Sequence, residues 1–369
     1  MIRNINKLTV LHNELEVGVL RQTPDGANCT FEYSKSWLES GFSLSPTELP
    51  IQKGLIYADQ DKFEGGFAAF EDSLPDGYGL YLLDRMLRRQ GISLKSLTPL
   101  QRLALIGDSA MGALRYVPSV KLEENQLEIK EDDMDILQSK AIETLSEKTE
   151  GDESLLYYAS GNSGGARPKV MMCDTDGKHW IVKFRHTYDP SDVGKEEYAY
   201  MRAARECGIV IPEIKLINGK YFAIERFDIE NGKRVHVLTA AALLKTDYRR
   251  QEADYTNLLA LTGYLTQNPQ QVEQMFRRMV FNVVCENRDD HAKNFSFLCH
   301  DGVWSLAPAY DITYSPKGSN GQHATSLFYD GNPSDELMIK AGTKIRIPKT
   351  RCEEIISEIR STASKYLKR

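Results

Sequence analysis

The sequence is poor in the features that mark several common protein classes. Its six cysteines, Cys29, Cys173, Cys207, Cys285, Cys299 and Cys352, lie far apart and form no Cys-x-x-Cys. That argues against zinc ribbons and redox pairs and suits reduced thiols in a cytoplasmic protein. Apolar runs extend only a few residues, far short of the roughly 20 that cross a bilayer, so no membrane partner is expected. The stretch from Met1 to Leu11 alternates polar and apolar residues and lacks the apolar region of a secretory signal. Basic residues are outnumbered, 46 Lys and Arg against 52 Asp and Glu, for a formal net charge of -6; the chain as a whole is no basic nucleic-acid binder. Arg85, Arg88 and Arg89 make one local basic group, read as a solvated helical face rather than a phosphate contact. Internal repeats and low-complexity tracts are lacking too.

What is present fits a globular chain. Its 369 residues exceed what one hydrophobic core usually serves, so subdomains with a cleft between them are expected. Three segments are discernible, 1–120, 121–229 and 230–369. In the first, Leu8 and Val10, Val17 and Val19, then Phe31 and Tyr33 alternate with polar neighbours around turns at Asn13-Glu14 and Pro24-Asp25-Gly26, a strand pattern. Leu80, Leu83, Met86 and Leu87 then recur at helical spacing. A Glu-, Asp- and Lys-rich stretch from Lys121 to Asp152 reads as a boundary carrying one exposed helix, Met134 to Glu147. The second segment is β-rich: Val170 to Met172 and Trp180 to Phe184 flank a turn at Asp174-Thr175-Asp176-Gly177, a hairpin. A helix from Val193 to Cys207 and strands near 214–217 and 221–225 follow. In the third segment Val272, Met275, Phe276, Met279, Val280, Val283 and Val284 keep the i, i+3, i+4, i+7 rule and predict a long buried helix. The fold class is α+β.

That helix ends in Asn287-Arg288-Asp289-Asp290-His291-Ala292-Lys293-Asn294, and a short hairpin leads on to Ala307-Pro308-Ala309-Tyr310-Asp311. Phosphoryl transfer from ATP asks a protein for placement more than covalent chemistry: an Asp to take the hydroxyl proton, and carboxylate and amide oxygens to hold magnesium. Asn294 lies five residues after Asp289, the offset of the kinase catalytic loop, and Asp311 stands where the second metal-binding acid would be. Oxygen ligands of this kind suit hard Mg2+. Taken alone, D-x-x-x-x-N is common, and a polar helix end with capping contacts would read the same. The hairpin, the Tyr-Asp after it and the features upstream favour a catalytic role.

Upstream, Ser160-Gly161-Asn162-Ser163-Gly164-Gly165-Ala166-Arg167-Pro168-Lys169 precedes a strand. Glycines let backbone N–H groups approach phosphate oxygens, although this string matches neither common nucleotide fingerprint and an ordinary flexible turn would share its composition. Lys183 lies in the otherwise apolar Trp180-Ile181-Val182-Lys183-Phe184. It either reaches the α- and β-phosphates, with Glu197 on the next helix as its partner, or is an edge-strand lysine. The backbone of Ala223-Ile224-Glu225-Arg226-Phe227-Asp228 is placed where an adenine would be read in a hinge between lobes.

These strings resemble a known family. Gly165-Ala166-Arg167-Pro168-Lys169, Ile224-Glu225-Arg226-Phe227-Asp228, Asp289-Asp290-His291-Ala292-Lys293-Asn294-Phe295-Ser296 and Pro308-Ala309-Tyr310-Asp311 are similar to the motifs of HipA-type serine/threonine protein kinase toxins. Leu74-Pro75-Asp76-Gly77 and Leu83-Asp84-Arg85 are similar to that family's extra subdomain. The resemblance implies a two-lobed protein-kinase-like fold, with a HipA-like β-rich N-terminal subdomain over 1–120, a β-rich nucleotide-binding small lobe over 121–229 and a mainly helical catalytic lobe over 230–369. It implies Asp289 as base, Asn294 and Asp311 on Mg2+, Lys183 on the phosphates of ATP, Glu225 and Phe227 at the adenine hinge, and Asn162, Ser163, Gly164 and Lys169 in the phosphate loop. His291 would brace the catalytic loop or be a satisfied structural histidine. Members act in bacterial toxin–antitoxin pairs, phosphorylating a protein substrate such as an aminoacyl-tRNA synthetase and arresting growth. Their usual partner is a helix-turn-helix antitoxin and, through it, operator DNA. The serine that the best-known members autophosphorylate is replaced here by Asn162, with Ser163 and Ser160 as the neighbouring hydroxyls; phosphate there would add about -2 charge beside the ATP phosphates.

Two other readings share some of these features. A small-molecule phosphotransferase would use a similar D-x-x-x-x-N loop. A non-catalytic binding module, acting as co-repressor with a DNA-binding antitoxin, would need neither Lys183 nor Asp311.

Overall fold

The computed structural model describes residues 2–367 apart from 108–109, 123–127, 148–151, 162–163, 251 and 319. The chain forms two compact units, 1–194 with 216–237 and 195–215 with 238–369. The segments 1–120 and 121–229 therefore fall together in the first unit, apart from 195–215.

In the first unit the N-terminal alternation becomes an antiparallel sheet in the order Ile56–Tyr57, Cys29–Tyr33, Leu15–Gln22, Lys7–His12, Leu114–Val117. Leu8, Val10, Val17, Leu20 and Phe31 are buried, as a period of two requires of a sheet with one covered face. A second antiparallel array, Lys169–Cys173, His179–Lys183 and Tyr221–Glu225, aligns Val170 with Val182 and Val182 with Ala223. These residues share one core with Leu82, Leu83, Met86 and Leu87 of the helix Gly77–Arg89 and with Leu156 and Tyr157 of the helix Glu153–Ser160. The N-terminal segment thus buries its helical stripe against the second array.

Two expectations are corrected here. The helix Met134–Leu145 is not an exposed boundary element, because Met134, Leu137 and Ala141, spaced i, i+3, i+7, enter that same core. Nor do the three arginines form a solvated face. Arg85 Nε and Arg89 Nη2 hold the Glu153 carboxylate at 2.9 and 3.0 Å, and the Glu153 side chain is 0% exposed. A carboxylate taken out of water needs such partners. Arg88 alone points outward, paired with Asp84.

In the second unit the helix Pro269–Val284 starts on Asn268, whose side chain accepts from Gln270 N and Gln271 N, with Pro269 at the first position, where its missing N–H is no loss. Its stripe of Val272, Met275, Phe276, Met279 and Val280 is buried, packed against the helices Tyr255–Thr266 and Lys349–Tyr366. Gly342 meets Cys352 Sγ and the Phe276 ring so closely that no side chain fits there. Past the helix, Glu286 turns the chain in a left-handed conformation, φ 55°, into the polar loop 287–294, and the hairpin of Ser296–His300 and Val303–Leu306 follows.

The burial of Phe276 at the meeting of these helices sets a prediction. Phe276→Ala lowers the unfolding free energy by about 3–5 kcal/mol, read from the urea midpoint at unchanged slope; a loss under about 1 kcal/mol would contradict this packing.

Candidate active site

The first unit contains the glycine-containing loop, Lys183 and the segment 223–228. Asn162 and Ser163 lie outside the described residues. Beyond them, the Asp76 carboxylate accepts from Gly165 N, and Gly165 O accepts from Tyr78 N at 3.0 Å. The close approach of Gly77 to Gly165 leaves no space for a side chain at 77, and Gly165 itself has φ +101°, open in practice to glycine alone. The loop is thereby pinned by the start of the helix Gly77–Arg89. Lys169 is buried and its Nζ donates to Gly164 O, bracing the loop from beneath. Arg167 closes the far side with Nε and Nη2 on Asp189 at 2.8 and 3.1 Å. Ser160 is buried, its hydroxyl donating to Tyr157 O and Gly161 O, so phosphorylation at this position requires the helix end to open.

Lys183 pairs in register with Lys169 on one side and Phe222 on the other, and its ammonium lies 5.7 Å from the Phe222 ring centre. Glu225 stands opposite Trp180, at the other end of that strand from Lys183, and its carboxylate meets Lys178 Nζ at 3.2 Å. Phe227 is half-buried on the following turn. That turn is held by Arg226, whose Nε and Nη2 reach Asp228 at 3.0 and 2.6 Å, while Gly112 N donates to Asp228 Oδ2 at 2.7 Å. Burial by itself would raise the Asp228 carboxyl, but the Arg226 guanidinium and the Gly112 N–H outweigh it and hold the group below its ordinary value. Glu197 is buried on the helix Val193–Glu206, in a part of that helix that belongs to the second unit.

The second unit supplies the acids and the amide. The Asp289 side chain is 62% exposed, with His291 Nε2 4.0 Å from its Oδ1. The His291 ring lies against Tyr248, centres 5.3 Å apart. Asn294 Nδ2 donates to Asp289 O at 2.8 Å, which turns Oδ1 of the amide away from that carbonyl. Asp311 adopts a left-handed conformation, φ 55°, rare for a residue with a side chain. Asn294 and Asp311 line one small cavity together with Arg278, Asn287, Asp290 and Tyr310. Tyr310 ties the two strings together, its hydroxyl donating to Lys293 O at 2.7 Å and accepting from Ser296 Oγ at 2.6 Å. Of the residues singled out from the sequence, Asp289, His291, Asn294 and Asp311 are thus gathered within the second unit, and Gly164, Lys169 and Lys183 within the first.

One residue of this loop was missed. Asp290, next to the exposed Asp289, has a side chain 0% exposed. Its Oδ2 accepts from Tyr255 OH at 2.6 Å and from His323 Nδ1 at 2.9 Å, and its Oδ1 accepts from Ala324 N at 2.9 Å and Thr325 N at 3.3 Å. Thr325 Oγ1 donates to its backbone carbonyl. The sequence offers two adjacent acids and no periodicity to say which is buried.

Residues 161–366, more than half of the chain, match the HipA-like C-terminal domain, and residues 8–117 match the HipA N-terminal domain. The chain belongs to the HipA family. Among curated proteins, Y4dM of Sinorhizobium fredii is 27% identical over 191 residues, 47% of this chain but only 46% of its own length. The serine/threonine-protein kinase toxin HipA of Shewanella oneidensis is 26% identical over 337 residues, 81% of this chain and 73% of that protein. Among solved structures, a chain of the Shewanella oneidensis MR-1 complex of HipA, HipB and operator DNA superposes with a TM-score of 0.73 at 20% identity, covering 97% of this chain and 89% of that one. The α+β HipA fold is therefore common to both. Among the described residues no helix is long and apolar enough to cross a membrane.

Asp290→Ala strands His323 and Tyr255 in the interior, and lowers the unfolding free energy by about 3–5 kcal/mol; an unchanged urea midpoint would exclude the buried network. Asp228 has a folded pKa below its unfolded value of about 3.9, so its stabilising contribution is present above about pH 4 and is lost as pH falls through the folded value. The wild-type melting temperature accordingly falls more steeply below about pH 4 than that of Asp228→Asn, and parallel acid limbs would contradict this.

Proposed function

We propose that this HipA-family chain is an ATP- and Mg2+-dependent serine/threonine protein kinase acting as the toxin of a bacterial toxin–antitoxin pair. The observation that carries the reading is the cavity wall shared by Asn294 and Asp311, with Asn294 bonded to the backbone of Asp289. Both residues offer oxygen donors to that cavity. That set suits Mg2+, which binds through one or two carboxylates and completes its shell with phosphate oxygens and water; when bound it would neutralise charge on the phosphates.

The remaining roles belong to the chain itself. Asp289 accepts the proton of the attacking serine or threonine hydroxyl on its exposed carboxylate. His291, its ring against Tyr248, braces the loop. Lys183 binds phosphate oxygens as a point charge. Backbone N–H groups of the loop that Asp76 and Lys169 pin cradle the phosphates. Glu225 reads the adenine three residues of strand away from Lys183's register, about 10 Å, a span that suits the distance from base to phosphate, with Phe227 two residues further on.

The solved relative bears the names of HipB and operator DNA. With a net charge of -6, this chain would reach DNA through a basic helix-turn-helix antitoxin rather than alone. The protein substrate is taken to be a component of translation, in keeping with the family's aminoacyl-tRNA synthetase target.

The test is phosphate transfer from labelled Mg-ATP to proteins of a bacterial lysate. Wild type labels discrete protein bands, and Asp289→Ala lowers the rate about 100- to 10,000-fold with little change in ATP affinity. Equal labelling by both proteins, or none by either, would overturn the assignment. Label passing instead to added small hydroxyl compounds would identify a small-molecule phosphotransferase.

A further inference from the structure

Arg278 sits inside the helix Pro269–Val284 with 3% of its surface exposed. Among the described residues it makes one hydrogen bond, from Nη2 to Ala307 O at 2.6 Å, and no ion pair. Its Nε and Nη1 are buried with no partner. The same cavity wall carries a complementary orphan, Asn287 Oδ1, also buried and without a donor. Asn287 Nδ2 is already used, donating to Asn282 Oδ1 at 2.9 Å; Asn282 Nδ2 donates to Tyr255 OH at 2.9 Å, and Tyr255 donates to Asp290. The two acids in the wall are Asp290 and Asp311, and Asp290 is saturated by its four donors.

An unpaired guanidinium in a protein interior is costly, and burial pushes this one down to about 9, which leaves it charged at neutral pH. Two orphan donors and one orphan acceptor around one small polar cavity meet the coordination needs of a single internal water. A structural arginine would be expected to find a carboxylate; this one instead grips the carbonyl four residues before Asp311 and faces Asn287 in the catalytic loop.

We propose that Arg278 is a positioning residue for the magnesium ligand Asp311. Its Nη2 anchors the 307–311 segment, and its Nε and Nη1, through one internal water shared with Asn287, set that segment's register against the loop that carries Asp289 and Asn294. The proposal rests on the phosphotransfer reading above.

It is tested on the full chain with Arg278→Met, Arg278→Lys and Asn287→Ala. Binding of Mn2+ to the protein with a non-hydrolysable ATP analogue, followed by electron paramagnetic resonance, weakens about 10-fold or more in Arg278→Met. Affinity for the analogue without metal stays within about twofold of wild type, and the Mg2+ concentration for half-maximal turnover rises in parallel, as expected of a group acting through a metal ligand. Arg278→Lys, which keeps one donor for Ala307 O, recovers part of the loss, and Asn287→Ala shows the same metal defect more weakly; these two carry the test should Arg278→Met fail to fold. Wild-type Mn2+ affinity in folded variants, or equal loss of metal-free nucleotide binding, would sink the positioning role. A wild-type protein that neither binds the metal–nucleotide pair nor turns it over would instead sink the kinase reading itself.

Discussion

The arrangement of the loop 287–294 depends on one buried carboxylate. Asp290 draws four donors from two distant parts of the second unit, the start of the helix Tyr255–Thr266 and the segment of His323 with the backbone at 324 and 325. Each bond to a charged acceptor is worth more than a neutral one, and together they offset the desolvation that would otherwise expel the acid. Asp290 is buried while its neighbour Asp289 stands in solvent.

A similar logic orders the first unit. The Asp76 carboxylate and the bare Cα of Gly77 meet the glycine-containing loop at Gly165, so the proposed phosphate-binding backbone is shaped by a helix from the N-terminal segment. The same helix shares its apolar stripe with the array that carries Lys183. Loop and lysine therefore have a common support, which accounts for the N-terminal segment being built into the first unit.

Among the interior charges, Glu153 and Asp228 are held by arginines, Glu153 by two and Asp228 by one in a bidentate grip. Arg278 differs from both, a buried cation satisfied in part by a carbonyl and otherwise lining the cavity of Asn294 and Asp311. Interiors seldom tolerate such a group without a functional reason.

Local pattern alone identified most of the elements. The stripe from Val272 to Val284, the hairpin around Asp174 to Gly177 and the Asp289-to-Asn294 offset were legible because period and turn chemistry act over a few residues, and the long helix, the hairpin and the loop stand where that reading put them. Arg85 and Arg89 were misread as solvated, since Glu153, which claims them, lies more than 60 residues away in the chain. Asp290 and Arg278 stayed hidden for the same reason: a side chain on an irregular loop, or a charge inside an apolar helix, takes its orientation from partners that no short-range spacing encodes. The sequence by itself determined which residue types recur at which intervals; only the tertiary structure decided which of two adjacent aspartates is buried, because that choice is made by Tyr255 and His323 arriving from elsewhere in the fold.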